Sequence, residues 1–328
     1  MSEYKDLPGV NQSRLKEILK HPSLFRDYRT DSNTTEYFAF GTFVEDLLLA
    51  DDDYMASKYF ITKSETPSDA IVRVLNLLAE QSIELHLDAI DQDVVIQACI
   101  FCEYGKSWKP ETCYKKILES GSDYYYEIKQ SEGLIKMSQE DYDKGALIVN
   151  EALSNLSVRK YLRPMEGLEN NFKVPIEFTY RDRLCKGEID ILHIDHNKKT
   201  VQVIDIKTSS YAMFFQSSIL KFRYDFQADF YTMGLILGGL VPEGYNILPA
   251  LFLVLDSNGK LPATMWQTPI KLDFNSDRSI EDLGVDFEYN DRIYEGVNSA
   301  FDRLFFHEKN DVWDYPLEYY ERGYMKWS

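Results

Sequence analysis

Two short apolar segments joined by a polar tetrapeptide constrain this chain more than any other feature. Cys185-Lys186-Gly187-Glu188-Ile189-Asp190-Ile191-Leu192 is followed, across His196-Asn197-Lys198-Lys199, by Val201-Gln202-Val203-Ile204-Asp205-Ile206-Lys207-Thr208. Side chains alternate across a strand, so Asp205 and Lys207 share one face, and Glu188, Asp190 and Leu192 share one face of the preceding segment. Apolar residues on both faces of the second segment imply a strand inside a layered α/β domain. The short polar link fits a hairpin turn, and antiparallel pairing across it brings Asp190 near Asp205. Two converging carboxylates bind a hard divalent cation through oxygen, and a neighbouring lysine holds a water or a phosphate oxygen. That set of groups suits metal-assisted phosphodiester cleavage. An Asp followed by Asp-x-Lys also arises by chance, and the plain alternative is a pair of solvated strand ends.

Other segments accompany the motif. Phe222-Arg223-Tyr224-Asp225-Phe226-Gln227-Ala228-Asp229-Phe230-Tyr231 runs into an apolar helical stretch, with Gln227 and Tyr231 on one face. Phe40-Gly41-Thr42-Phe43-Val44-Glu45 reads as the start of a helix, with the glycine allowing close approach and Glu45 one turn in. Asn11 or Ser13 caps a helix that Pro22 helps to end.

This order of segments resembles the PD-(D/E)XK nucleases of the RecE (exonuclease VIII) type, phage and prophage recombination exonucleases. The resemblance runs from about Asn11 to about Trp313, and Asp205 to Tyr231 is its most specific part. It implies a restriction-endonuclease-like α/β core, a central mixed sheet flanked by helices, with a helical insertion. It implies that Asp190, Asp205 and the backbone carbonyl of Ile206 ligate Mg²⁺ (or Mn²⁺), and that Lys207 orients the attacking water. Glu45 stands where many relatives have a metal-binding histidine, and a carboxylate suits Mg²⁺ equally. Gln227 and Tyr231 stand on a helix facing the site, and Glu177 matches an acid often found near the metals. Glu188 is a further candidate, and Arg183, Lys221, Arg223 and Tyr224 are candidate DNA contacts. The resemblance also implies a 5′→3′ exonuclease on linear double-stranded DNA, a ring-shaped homo-oligomer and a single-strand annealing partner.

Each assignment has a plainer counterpart. Glu45 is either a ligand or a solvated first-turn acid. Tyr231 is either a site residue or core packing, Glu177 either a metal contact or an exposed strand position, and Arg223 either a phosphate contact or a partner of Asp225 or Asp229. The rival functions are a structure-specific or defence-related endonuclease of the same fold and a non-catalytic DNA-binding assembly protein.

The net charge of −18 opposes binding to nucleic acid unless cations gather locally. Acid collects at Asp51-Asp52-Asp53, from Asp88 to Asp93 and from Asp273 onward. Arg181, Arg183, Lys186, Lys198, Lys199, Lys207, Lys221 and Arg223 read as a basic channel around the site. Cys99-x-x-Cys102 lies in an apolar helical stretch, so with Cys113 and Cys185 it reads as free thiols rather than a cluster. No run approaches the roughly 18 apolar residues of a spanning helix, and Met1 to Asp6 is not a signal peptide. We expect a cytoplasmic protein of a bacterial or phage-infected cell, without membrane contact.

We expect one 328-residue domain: core helices over 1–60, a mainly helical region over 61–165, the catalytic sheet and helix over 166–275, and a helix and tail over 276–328. Helix caps are expected at Ser68 and Ser138, an aromatic loop over Ser120 to Ile128 whose tyrosines are candidates for base stacking, strands over Leu248–Leu255 and Thr264–Leu272, a late helix over Gly284–Phe306 and a tyrosine-rich tail from Trp313 to Trp327.

Overall fold

The computed structural model describes residues 7–29, 36–267 and 283–325. Residues 268–272 of the second expected strand, the acids of 273–282, Trp327 and Met1 to Asp6 lie outside the described residues. The chain forms two compact units, residues 1–45 with 147–328, and the continuous stretch 46–146 that interrupts the first.

In chain order the elements are α1 (Gln12–Lys20), α2 (Pro22–Arg26), α3 (Glu36–Leu49), α4 (Asp52–Lys58), β1 (Tyr59–Thr62), α5 (Asp69–Gln81), α6 (Gln92–Phe101), α7 (Pro110–Gln130), β2 (Ile135–Ser138), α8 (Gln139–Ser154) and α9 (Leu156–Leu162). Then come β3 (Leu168–Tyr180), β4 (Arg183–Asp195), β5 (Thr200–Ser209), α10 (Phe215–Lys221), α11 (Tyr224–Leu237), β6 (Asn246–Asp256), β7 (Thr264–Gln267), β8 (Phe287–Tyr289), β9 (Arg292–Tyr294), α12 (Val297–Asn310) and α13 (Leu317–Arg322).

The larger unit is built on a mixed sheet of order β3-β4-β5-β6-β7, flanked by helices. β3, β4 and β5 form an antiparallel meander, β5 and β6 run parallel, and β7 returns antiparallel. The polar link His196 to Lys199 makes the β4–β5 turn, as expected, with the Asp195 carboxylate accepting from the amides of Asn197 and Lys198. A parallel step needs a crossover, which α10 and α11 supply. Every residue of α11 from Asp225 to Leu235 is buried, as expected of a helix packed on several sides. Two glycines let α11 lie close to the sheet. A Cβ on Gly187 of β4 would stand 3.0 Å from the Tyr231 ring, and one on Gly234 would stand 2.5 Å from Ile176.

Several sequence expectations are corrected here. Asn11 does cap α1, accepting from the Arg14 amide at 2.8 Å. Pro22 opens α2 instead of only closing α1, because a first-turn proline loses no helical hydrogen bond. Gly41 and Glu45 lie inside α3, not in its first turn, and Gly41 faces the Thr208 side chain. The stretch Ser120 to Ile128 is no loop but the middle of α7. There Gly121 makes room for Leu75, and Tyr125 is fully buried with its hydroxyl donating to the Glu84 carbonyl. Tertiary packing has overridden the local Gly-Ser-Asp turn signal. The late helix begins only at Val297. Before it, β8 and β9 form a hairpin whose turn residues Asn290 and Asp291 are both left-handed (φ 50° and 58°), the pattern of a type I′ turn.

The inserted unit is helical apart from a short parallel pair of β1 with β2, which the sequence reading did not foresee. Its core gathers Val74, Leu75 and Leu78 of α5, Val95 of α6, and Ile117 and Tyr125 of α7. Buried Asp46 accepts from Lys58 and from Tyr59, each at 2.6 Å. Cys99, Cys102 and Cys113 are free thiols of this unit, and burial raises the Cys99 pKa to about 11. Cys185 is a free, buried thiol of β4. Ser68 precedes α5 without a side-chain cap bond, whereas Ser138 accepts from the Asp141 amide at the start of α8. No helix among the described residues is long and apolar enough to cross a membrane.

One buried histidine ties the hairpin to acid stability. His193 on β4 is 5% exposed, its Nδ1 donates to Asn170 Oδ1 at 2.6 Å, and its ring packs edge-on to Tyr161. Burial, helped by the charge of Lys160, lowers its pKa from 6.5 to about 4. The folded chain therefore refuses a proton that the unfolded chain accepts. This contribution is present above pH 6.5 and is lost as pH falls toward 4, on the order of 3 kcal/mol in total. A His193→Gln variant is expected to show a flatter melting profile between pH 7 and pH 4 than the parent chain. Parallel profiles would remove the buried imidazole as the cause.

Candidate active site

The site forms where the β4–β5 ladder ends. Pairing runs from Asp195↔Thr200 to Ile191↔Ile204 and stops. On the same edge of β4, Val10 covers only Leu184 and Lys186, through bonds of 2.9 and 3.0 Å. The segment Gly187 to Asp190 between them has no strand partner on that edge among the described pairings. A backbone amide left unpaired inside a protein must find another acceptor. The Ile206 amide finds the Asp190 carboxylate, donating to Oδ2 at 2.8 Å. This contact is with the amide of Ile206, while the sequence reading emphasised its carbonyl.

Asp205, Lys207, Gln227 and Tyr231 gather on this end of the hairpin. Asp205 is 4% exposed. Its Oδ1 accepts from Gln227 Nε2 at 2.8 Å, and Gln227 also donates to the Tyr231 hydroxyl at 3.2 Å. The Lys207 ammonium lies against Asp205 Oδ2. Burial pushes the Asp205 carboxyl up, to about 6, against the pull of Lys207. Burial also works against the Lys207 ammonium, but the carboxylates of Asp205 and Asp190 outweigh it and raise its pKa. The opposite charge of each thus works against the burial of the other.

A second group of charges surrounds Asp190. Lys173 of β3 contacts Glu45 of α3, lies 3.0 Å from Asp190 Oδ1 and 4.0 Å from Glu188 Oε1. All four side chains are mostly buried. Lys173 stands opposite Asp190 in the β3–β4 register, but its φ of +51° breaks the ladder there. A non-glycine residue in that conformation is uncommon and costs about 1 kcal/mol or more. Sequence reasoning missed Lys173 because nothing in Phe172-Lys173-Val174 marks a left-handed residue inside a strand.

The donors fit a hard divalent cation in kind. Glu45 Oε1 and Asp205 Oδ2 are buried oxygens without a hydrogen-bond donor in bonding geometry, each lying against a lysine ammonium, and carboxylate oxygen is the preferred ligand of Mg²⁺. As they stand, however, the acids are gathered on lysines. No three acids, histidines or cysteines among the described residues converge as a ligand set.

Other candidates fall elsewhere. Glu177 of β3 is exposed and stands opposite Lys186 of β4, four residues along that strand from Asp190, so it does not meet Asp190. Arg183 lies at the β3–β4 turn, in contact with Glu308 of α12, about 23 Å along the strand from Asp190 at ~3.3 Å per residue. Arg181 pairs with Asp302, and Lys186 donates to the Leu7 carbonyl. Lys198 and Lys199 sit at the far, β4–β5 turn. Arg181, Arg183, Lys186, Lys198 and Lys199 of the basic channel read from the sequence are thus dispersed along the sheet, because residues near in sequence on a hairpin separate along its length, whereas Lys207, Lys221 and Arg223 stay together.

Lys221 and Arg223 of that channel, with cations from other segments, line an open cleft of about 1230 Å³ in the same unit. Lys16 and Lys20 of α1, Lys221, Arg223 and Arg292 face it, together with the aromatic rings of Phe222, Tyr224 and Tyr294. Arg223 braces the wall, donating to Asp225 at 3.0–3.2 Å and to the Glu295 carbonyl. Tyr224 joins cleft and site, since Lys207 Nζ lies 4.8 Å from its ring centroid. Burial, with the charge of Lys207, lowers the Lys16 pKa to about 8. Lys16, Lys20 and Arg292 were not singled out in the sequence because the fold, not the local pattern, brings them to one cleft.

No family model matches this chain, and none of the curated proteins does. Among solved structures, the crystal structure of a "Putative exonuclease" from Eubacterium rectale is similar over 77% of this chain and 81% of that chain, at 10% identity and a TM-score of 0.36.

Proposed function

We propose that this chain is a metal-dependent deoxyribonuclease with a restriction-endonuclease-like PD-(D/E)XK core of the RecE type, acting on ends of linear double-stranded DNA. One observation carries the reading. Asp190, Asp205 and Lys207 meet at the open end of one hairpin, and a cleft lined with cations and aromatic rings adjoins them through Tyr224. Cations track a phosphate backbone, and aromatic faces stack on bases.

The residues divide the work. Asp190 and Asp205, with Glu45 and the carbonyl of Ile206, would hold Mg²⁺ (or Mn²⁺). When bound, the ion polarises the phosphoryl oxygen and neutralises developing charge. Lys207 places a fixed positive charge beside the reacting phosphate, worth most where water is excluded. Gln227, itself held by Tyr231, fixes the orientation of Asp205. Lys221, Arg292 and Lys16 bind backbone phosphates, and Tyr224 and Phe222 contact bases. In this reading the enzyme degrades 5′→3′, leaves a 3′ single strand, assembles as a ring and works in the cytoplasm with an annealing protein in phage-type recombination.

Digestion of a linear duplex labelled at each 5′ and each 3′ end in turn, with and without Mg²⁺, tests this. The expected result is Mg²⁺-dependent release of the 5′ label first, with a covalently closed circle left intact. Rapid loss of the circle would instead make the protein an endonuclease. A second reading, a non-catalytic DNA-binding assembly protein, is favoured by Lys173 standing among the acids. Binding of duplex without hydrolysis in Mg²⁺ or Mn²⁺ would select it.

A further inference from the structure

We propose that Lys173 is a built-in occupant of the cation site, holding Glu45 and Asp190 together until the divalent ion displaces it, and so sets the affinity for that ion. The inference rests on the nuclease reading of the same acids.

Three observations carry it. The ammonium touches Glu45, lies 3.0 Å from Asp190 and 4.0 Å from Glu188, so it stands among the acids assigned as ligands. Its side chain is 14% exposed and those of Glu45 and Asp190 are 19% and 13% exposed, so little water screens the group. The backbone at Lys173 is held at φ +51° inside a strand, opposite Asp190, a strained conformation that persists only where the surroundings enforce it.

Charge decides the consequence. Glu45, Glu188, Asp190 and Asp205 bring four negative charges to one end of the hairpin, and Lys173 and Lys207 return two. Buried carboxylates left without a counter-charge repel one another and open. A divalent ion and an ammonium cannot share ligands 3 Å away without strong mutual repulsion. Lys207 lies over the Tyr224 ring as well as against Asp205 and so keeps a partner when an ion takes the carboxylates, whereas the contacts described for Lys173 are all with acids, so Lys173 is the cation that must swing out. It is a positioning residue: it pre-gathers the ligands and competes for them.

Mn²⁺ binding, followed by the loss of the free-ion electron paramagnetic resonance signal, tests this in the parent chain, Lys173→Met and Lys173→Gly. Glycine accepts a positive φ without strain, so the second variant stays folded even where the methionine variant does not. The expected result is Mn²⁺ affinity at least about tenfold tighter in the variants, together with a lower melting temperature in metal-free buffer and a larger rise on adding Mn²⁺. A merely structural lysine would lower the melting temperature without tightening Mn²⁺ binding. Equal or weaker affinity in the variants, with binding still lost in Asp190→Asn, would overturn the role of Lys173 and leave the nuclease reading standing. No Mn²⁺ bound by any of the three chains would overturn both.

Discussion

Asp205→Asn is expected to lower Mg²⁺-dependent hydrolysis of linear duplex by at least about 10³-fold, and Lys207→Ala by about 10²–10³-fold, the range seen when one charge-stabilising group is removed from a reacting centre. The two effects differ in stability. The Asp205 carboxylate is buried, and burial disfavours its ionised form even after the attraction of Lys207 is counted. A neutral side chain of the same shape removes that cost and keeps the acceptor for Gln227. In metal-free buffer Asp205→Asn is therefore expected to melt no lower than the parent chain, a common trade between function and stability. Lys207→Ala removes the counter-charge of both Asp205 and Asp190 and is expected to melt lower. Endpoint digestion and thermal melts on the same preparations check both. Hydrolysis unchanged in either variant would remove these residues from the reaction.

Arg303→Ala is expected to cost about 2–3 kcal/mol and to open the cleft. Arg303 of α12 is 12% exposed and joins Glu295, at 2.7 and 2.9 Å, to Glu318 of α13. Glu295 follows the β8–β9 hairpin, and its carbonyl receives Arg223 from the cleft wall. Removing one member of a buried pair strands the others, typically at 3–5 kcal/mol. Each glutamate here is 32% exposed, so water screens part of the loss and the expectation is smaller. For a chain of this size that corresponds to a fall in melting temperature of roughly 3–5 °C. Arg292 and Tyr294 lose their support at the same time, so affinity for a short duplex, read by fluorescence anisotropy, falls too. Arg303→Met, which keeps the apolar stem, should recover part of the melting temperature but not the duplex affinity. An unchanged melt in Arg303→Ala would show that the hairpin stands without it.

Much of the site's floor is legible before folding. Period-two alternation puts Asp205 beside Lys207, and the polar link sets the hairpin that brings Asp190 to the Ile206 amide. Helical spacing puts Gln227 over Tyr231, and the two do bond. The reading fails wherever the deciding contact is distant. Gly121 and Tyr125 read as loop because a turn-forming tripeptide precedes three tyrosines, yet Leu75, far away in sequence, packs them into a helix. Arg183 and Lys198 read as neighbours of the site because they flank its strands, yet strand length carries them to opposite ends.

Local periodicity and turn chemistry govern the strands, the hairpin, and which acids and lysine face one another across it. Long-range packing sets the rest: that the ladder stops at Ile191, that α3 delivers Glu45, that Lys173 turns left-handed opposite Asp190, and that α1 and the β8–β9 hairpin add cations to the cleft. Side-chain alternation is a property of the neighbouring bonds, whereas charges from distant segments meet only when burial of the core fixes the path of the chain between them.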